Sequence, residues 1–248
     1  MTLDKQMVSY YTDQQEKLVR DFEKKLQRVQ EFIDAYFEDE SGAELCDEFV
    51  TSFVEIIPRI PYIGGKSNPL TGEVIQSAWA LAIYEVLHRR GKTMTEIGMF
   101  IYKTREALIA SYPRLLLFMF GWYWFSKHFK NKRRELAKET QKREYEENFV
   151  ITFVEGDGET FDYGFDDTEC AILKFFRKEN VAELTPYLCA SDIPLSRALN
   201  LGIQRTTTLA LGGKRCDFRL TRGGETYCAA TAFIDEKARG VVNDGAGE

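Results

Sequence analysis

Near residue 147 the apolar residues change their spacing, and that change restricts the chain more than any single motif in it. Before it, Leu18, Phe22, Leu26, Val29, Ile33 and Tyr36 recur every three or four positions in a charged background, and Val74, Ala78, Ala82 and Val86 do the same. That spacing draws one apolar stripe along a helix. After it, residues 148–154 read Asn-Phe-Val-Ile-Thr-Phe-Val, and Gly156-Asp157-Gly158 turns this β-rich run into a second extended one reaching Tyr163. A chain that switches period in this way sorts into the α+β class: a helical region, 1–147, packed on a small antiparallel β-sheet from an α+β region, 148–234. Residues 235–248, polar and Gly-rich, read as a disordered tail, and the whole reads as one compact unit.

Within the helical region, the first stripe predicts one long scaffold helix, broken at Glu38 to Gly42, and a second helix containing Cys46 runs to Ile57. Pro58 to Pro69 holds three prolines and Gly64-Gly65, so it is a loop whose glycines let backbone approach closely to a packed helix or a ligand. Gly91 stops the next helix, with His88 on its last turn, and Thr93-Met94-Thr95-Glu96 is a capping box opening another that ends before Pro113. The apolar run Leu115 to Phe125 is eleven residues, whereas a membrane span takes about 20. It reads as a buried helix or as the interface of a homo-oligomer, with no membrane span. Lys127 to Arg143 carries eight basic and two acidic residues and reads as a solvated helix face.

The net charge of −6 argues against a nucleic-acid partner, because phosphate neutralisation needs clustered Lys and Arg. Five cysteines at irregular spacing, without a CxxC pair, make neither a disulfide framework nor a zinc site, and no phosphate-binding glycine loop is present, so neither metal nor cofactor is expected. Met1 is followed by polar residues with no apolar signal segment, and a reducing, cytoplasmic setting is expected.

Polar chemistry concentrates in Leu184 to Leu220. Thr185-Pro186 opens a short helix carrying Cys189, and a second short helix starts near Asp192, where the carboxylate suits a cap, and closes at Gly202. From Ile203 the period is two, and Gly212-Gly213 suggests a two-residue hairpin loop in which Leu209 faces Cys216, Thr207 faces Phe218 and Arg205 faces Leu220. Arg205 then stands on an apolar face, where an unpaired guanidinium costs several kcal/mol. It needs a carboxylate partner, an escape to solvent, or an anionic ligand. Upstream, Asp166 to Asn180 reads as a capped helix bearing Glu169 and Cys170, and downstream Thr226 to Phe233 reads as a further strand.

These residues carry a resemblance. TPYLC at 185–189 with Asp192 three residues on, RTTTLALGG at 205–213 and CDFR at 216–219 resemble the L-2-amino-thiazoline-4-carboxylate hydrolase family. IPYIGGKSNPLTGEVIQSAWALAIYEVLHRRGKTMTEIG at 60–98 resembles its N-terminal half, so the likeness covers Tyr62 to Leu220. It implies hydrolysis of a cyclic amidine: water adds to the ring carbon held by two nitrogens and a sulfur, thiolate departs, and an N-carbamoyl amino acid results. Cys189 and Cys216 match the family's cysteine positions and are the candidate nucleophiles, provided a neighbouring Arg205 or Arg219 favours the thiolate. Cys216 is equally a packing residue. Asp192 and Asp217 are the candidate acid/base pair, against the plainer roles of helix cap and of an exposed strand aspartate facing Thr208; Glu169 is a weaker third. Arg205 is expected to anchor a substrate carboxylate, with Arg219, Thr208, Gly212 and Gly213 around it and Tyr62, Gly64, Gly65 and Asn68 as one wall of the pocket. Two other readings stay open: a non-enzymatic module binding a lipid or tetrapyrrole, similar in outline to vinyl-reductase-type domains, and a family member diverted to another substrate in specialised metabolism.

Overall fold

The N-terminal apolar stripe folds as two helices rather than one. In the computed structural model, which describes residues 9–37 and 40–238, helix α1 (Gln15–Arg28) and helix α2 (Gln30–Tyr36) meet at Val29, whose φ of −116° leaves the helical region. Leu18, Phe22, Leu26, Val29 and Ile33 stay buried while Tyr36 is exposed. Helix α3 (Gly42–Ile56) starts at Ser41, whose hydroxyl accepts the Glu44 N–H at 3.4 Å. Helix α4 (Thr71–Arg89) ends before Gly91 at φ +78°, and α5 (Met94–Ala110) opens on the expected capping box of Thr93 and Glu96. Phe22 stacks on Trp79 at 5.3 Å and meets Phe53 edge-on at 5.2 Å, so aromatic burial holds this unit together.

The chain divides into two compact units, Met1–Ser111 and Tyr112–Glu248. Strands begin near 150, yet the division falls earlier, because two helices before the period change belong with the sheet. Helix α6 (Arg114–Trp124) meets the Leu199 carbonyl at Gly121, where a Cβ would come within 2.0 Å of that oxygen. Helix α7 (Lys127–Gln141) is tied to the first strand by the Ile151 N–H donating to the Thr140 hydroxyl at 3.0 Å.

The sheet has five strands, β1 (Val150–Glu155), β2 (Tyr163–Glu169), β3 (Ile203–Arg205), β4 (Cys216–Leu220) and β5 (Tyr227–Cys228), in the order β1-β2-β4-β3-β5. It is mixed, not antiparallel throughout as expected, because β3 and β5 run parallel. Helices α8 (Ala171–Lys178), α9 (Thr185–Ala190), α10 (Asp192–Leu199) and α11 (Ala229–Ala238) complete the unit.

Several expected boundaries move, each for a side-chain reason. Tyr163 opens a strand instead of closing one: Asp157 accepts the N–H groups of Glu159, Thr160 and Phe161 at 3.0, 2.7 and 3.2 Å, which keeps those residues out of the ladder. The helix expected from Asp166 therefore starts only at Ala171. The hairpin loop is longer than Gly212-Gly213. Asp217 accepts the Thr207 N–H at 2.7 Å and the Thr206 hydroxyl at 2.5 Å, and a 3-10 turn, Leu209–Leu211, follows. The register is Ile203 opposite Leu220, a slip of two that keeps Arg205, Cys216, Phe218 and Leu220 on one face, but Thr207 and Leu209 fall outside the ladder and Thr208, not Thr207, meets the thiols. Asn200, at φ +56°, closes α10 ahead of Gly202. The strand expected at 226–233 is confined to Tyr227–Cys228, and α11 runs on through the start of the expected tail; residues 239–248 of that tail lie outside the described residues.

Candidate functional site

Period two along the strands gathers one face of the sheet. Tyr163, Phe165 and Asp167 of β2 stand opposite Leu220, Phe218 and Cys216 of β4, Ile203 pairs with Leu220, and Arg205 lies beside Cys228 in the parallel pair. Helix α9 brings Cys189 to the same face. The hydroxyl of Thr208, a buried residue of the loop after β3, is the meeting point. It lies 3.8 Å from Cys189 Sγ and 3.5 Å from Cys216 Sγ, and it accepts from Arg205 Nη2 at 3.0 Å and the Ala210 N–H at 3.3 Å. Cys216 Sγ in turn accepts the Leu209 N–H at 3.4 Å, and Cys228 Sγ donates to the Cys189 carbonyl at 3.7 Å.

Arg205 is 2% exposed. Its Nη1 is ion-paired with Asp192 and its guanidinium carbon lies 4.6 Å from the Phe218 ring centroid. Of the three ways expected to satisfy this arginine, the structure shows a carboxylate partner. Asp192, first residue of α10, turns its carboxylate to Arg205 instead of capping the helix. Burial works against the guanidinium charge, but Cys189 and Asp192 outweigh it and raise its pKa well above the ordinary value. Its Nε has no hydrogen-bond partner, and neither has Oδ1 of Asp167 on the neighbouring strand. Asp167 is 9% exposed, and burial pushes its pKa up to about 7 against the pull of Arg205 and Arg133. Burial also pushes the Cys216 thiol up to about 11, and it raises Cys228 and Cys170 as well. Cys170, just before α8, is near enough to interact with Cys189, Cys216 and Asp167.

The structure therefore brings Cys189, Cys216, Arg205, Thr208 and Asp192 together, and adds Asp167, Cys170 and Cys228. The alternation of YGFDDTE places Asp167 in phase with Tyr163 and Phe165, a carboxylate at an apolar position, which is the signal that points to it. Asp217 and Arg219 fall on the opposite face: Asp217 holds the threonine loop, and Arg219 pairs with Asp166 at 2.8 Å. Glu169 is bound by Lys174 and Arg143, the Lys174 contact doing most to lower its pKa. Gly212, at φ +82°, ends the 3-10 turn, and a Cβ on Gly213 would meet the Thr207 hydroxyl at 2.1 Å. Tyr62, Gly64, Gly65 and Asn68 belong to the first unit. There Asn68 spends both ends of its amide on the Ile63 carbonyl at 2.6 Å and the Leu70 N–H at 2.9 Å, and Gly65 and Asn68 line a cleft of about 810 Å³ with Tyr10 and Trp79. Among the described residues, no group of three or more His, Cys, Asp or Glu is placed to hold a metal ion.

Residues 72–220 match the model of the L-2-amino-thiazoline-4-carboxylic acid hydrolase family. The chain belongs to that family. No curated protein and no solved structure matches it. The matched span ends on the last residue of β4, so it contains Cys170, Cys189, Cys216, Asp167, Asp192, Arg205 and Thr208, with Cys228 beyond it.

Proposed function

We propose that the protein hydrolyses a cyclic amidine such as L-2-amino-thiazoline-4-carboxylate to an N-carbamoyl amino acid, with Cys189 as nucleophile. The observation that carries this reading is the meeting of half-buried Cys189 and buried Arg205 at the Thr208 hydroxyl, on a sheet face that also carries Asp167 with its unsatisfied oxygen.

Cys189 passes its proton to solvent through Asp192 and bonds as thiolate to the ring carbon held by two nitrogens and a sulfur, and the C=N electron pair moves to nitrogen, which takes a proton from Asp167. A carboxyl group with a pKa near 7 keeps that proton at neutral pH and can give it up. The ring C–S bond then breaks, and the departing thiolate faces the Arg205 charge. Water adds to the carbon now held by Cys189, its proton passing to Asp192, whose side chain is 28% exposed and so reaches solvent. Loss of the Cys189 thiolate completes the addition of one water, and the hydroxyl that becomes the product carbonyl returns a proton to Asp167. In this reading Arg205 serves the leaving sulfur, with Nη1 held by Asp192 and Nη2 by Thr208.

The test is thiol release from 2-amino-thiazoline-4-carboxylate. Cys189→Ser is expected to lower turnover by about 1,000-fold with KM little changed, and Cys216→Ser, which removes a thiol kept neutral by burial, by less than about tenfold. A wild type that releases no thiol excludes this substrate, and full turnover in Cys189→Ser removes the nucleophile.

A further inference from the structure

Helix α6 is apolar around its whole circumference, the pattern of a helix buried on all sides, yet only one side of it is covered. Its inner stripe does ordinary work: Gly121 closes on Leu199, and Leu117 and Trp124 pack against Tyr163, Leu201 and Leu220. The outer stripe, Leu115, Phe118, Met119 and Trp122, is 71, 57, 60 and 53% exposed. These four follow i, i+3, i+4, i+7 spacing, so they form one continuous band. Leu116, Phe120 and Tyr123 flank it and are also exposed, so seven of the ten exposed large apolar side chains among the described residues lie on this one helix. Such concentration marks an interaction surface; scattered apolar exposure does not.

Charge says what kind. Residues 112–134 contain six Lys and Arg and no Asp or Glu, within a chain of net charge −6. Arg114 at one end of α6, and Lys127 and Lys132 beyond the other, are exposed and have no ion pair among the described residues. Arg222 stacks over Trp122 with its guanidinium carbon 3.4 Å from the ring centroid. We propose that α6 and the cations at its ends form a docking surface for an anionic lipid bilayer.

A second copy of the chain fits less well, since pairing through α6 would bring two cationic segments together with no acid in 112–134 to offset them. Apart from the Trp122 indole N–H at one end, the outer band offers no polar group to set the register of a protein partner, whereas an acyl boundary accepts Phe, Met and Leu without a shaped pocket. Trp122 and Tyr123 at one end suit the headgroup level. Eleven residues are too few to cross a bilayer, which takes about 20, and no helix among the described residues is long and apolar enough to do so. Helix α6 would lie in the plane of the surface, with the cations reaching the headgroups.

The experiment is sedimentation of the full chain with vesicles of phosphatidylcholine alone and of phosphatidylcholine mixed with phosphatidylglycerol, alongside sedimentation velocity without vesicles. Wild type is expected to pellet with the anionic vesicles, to bind phosphatidylcholine at least tenfold more weakly, and to be released by salt. The pair F118E and M119E should abolish binding, and the pair K127E and K132E should weaken it by about fivefold per cation removed; all four side chains are exposed, and near-ultraviolet circular dichroism checks that both variants fold. Equal binding to the two vesicle types, or no binding to either, overturns the proposal. So does a wild-type dimer that F118E converts to a monomer without any vesicle binding.

Discussion

Two arginine–aspartate pairs stand on opposite faces of the same sheet. On the thiol face, Arg205 is paired with Asp192 and its side chain is 3% exposed; on the other, Arg219 pairs with Asp166 and is 24% exposed, with Arg215 a further 3.4 Å partner. The neighbouring aspartates of β2 repeat the contrast. Asp166 has two arginines, while Asp167, one residue on and therefore on the thiol face, has an oxygen without a partner and a pKa pushed up to about 7. The residue types are the same, and only the side of the sheet differs. Desolvation holds Asp167 near neutrality on the thiol face, while the other face keeps partly exposed ion pairs.

The largest expected difference is in stability. Arg205→Met, which strips a buried pair of one charge, should cost about 3 kcal/mol in urea unfolding, whereas Arg219→Met should cost less than about 1 kcal/mol. Equal losses would break the contrast between the faces.

A second measurement turns on pH. The folded pKa of Asp167, about 7, lies above its unfolded value of 3.8, so between those values the folded state binds more protons and this group's contribution to stability falls as pH rises through about 7. Wild type should therefore lose melting temperature relative to Asp167→Asn between about pH 5 and about pH 8. Thiol release, if Asp167 supplies a proton, should decline above about pH 7 in wild type.

Alkylation sharpens the same face internally. At neutral pH, iodoacetamide should label Cys189 at least about tenfold faster than Cys216, whose thiol is buried and pushed up to about 11; peptide mass mapping reads the order. The smallest effect is reserved for Asp217→Asn, where turnover should stay within about twofold, because its carboxylate holds the Thr206–Thr207 loop from the face away from Cys189.

Much of this face was legible before any coordinates, because the alternation of CDFRL and IQR places Cys216, Phe218, Leu220 and Arg205 on one side whatever the loop between them does. A register error of two residues cost nothing for that reason. Asp192 and Asp217 show the opposite case. Each reads as a cap or an exposed strand residue from its own neighbours, yet one meets a buried guanidinium and the other ties down threonines, and nothing local distinguishes them. Cys228 gave no signal at all, since its place beside Arg205 comes from a parallel pairing that the preceding turn does not announce.

The sequence by itself determined the α+β class, through the change of hydrophobic period near 147, and the helix ends at Gly91 and Thr93, where one side chain or one positive φ suffices. It also carried the family, in motifs that run to Leu220. Only the tertiary structure decided which carboxylate pairs with Arg205, which thiols surround it, and that α6 has an uncovered side. Those outcomes depend on what each group meets across the sheet and on how completely water is removed from it, and neither is written in the spacing of residues along the chain.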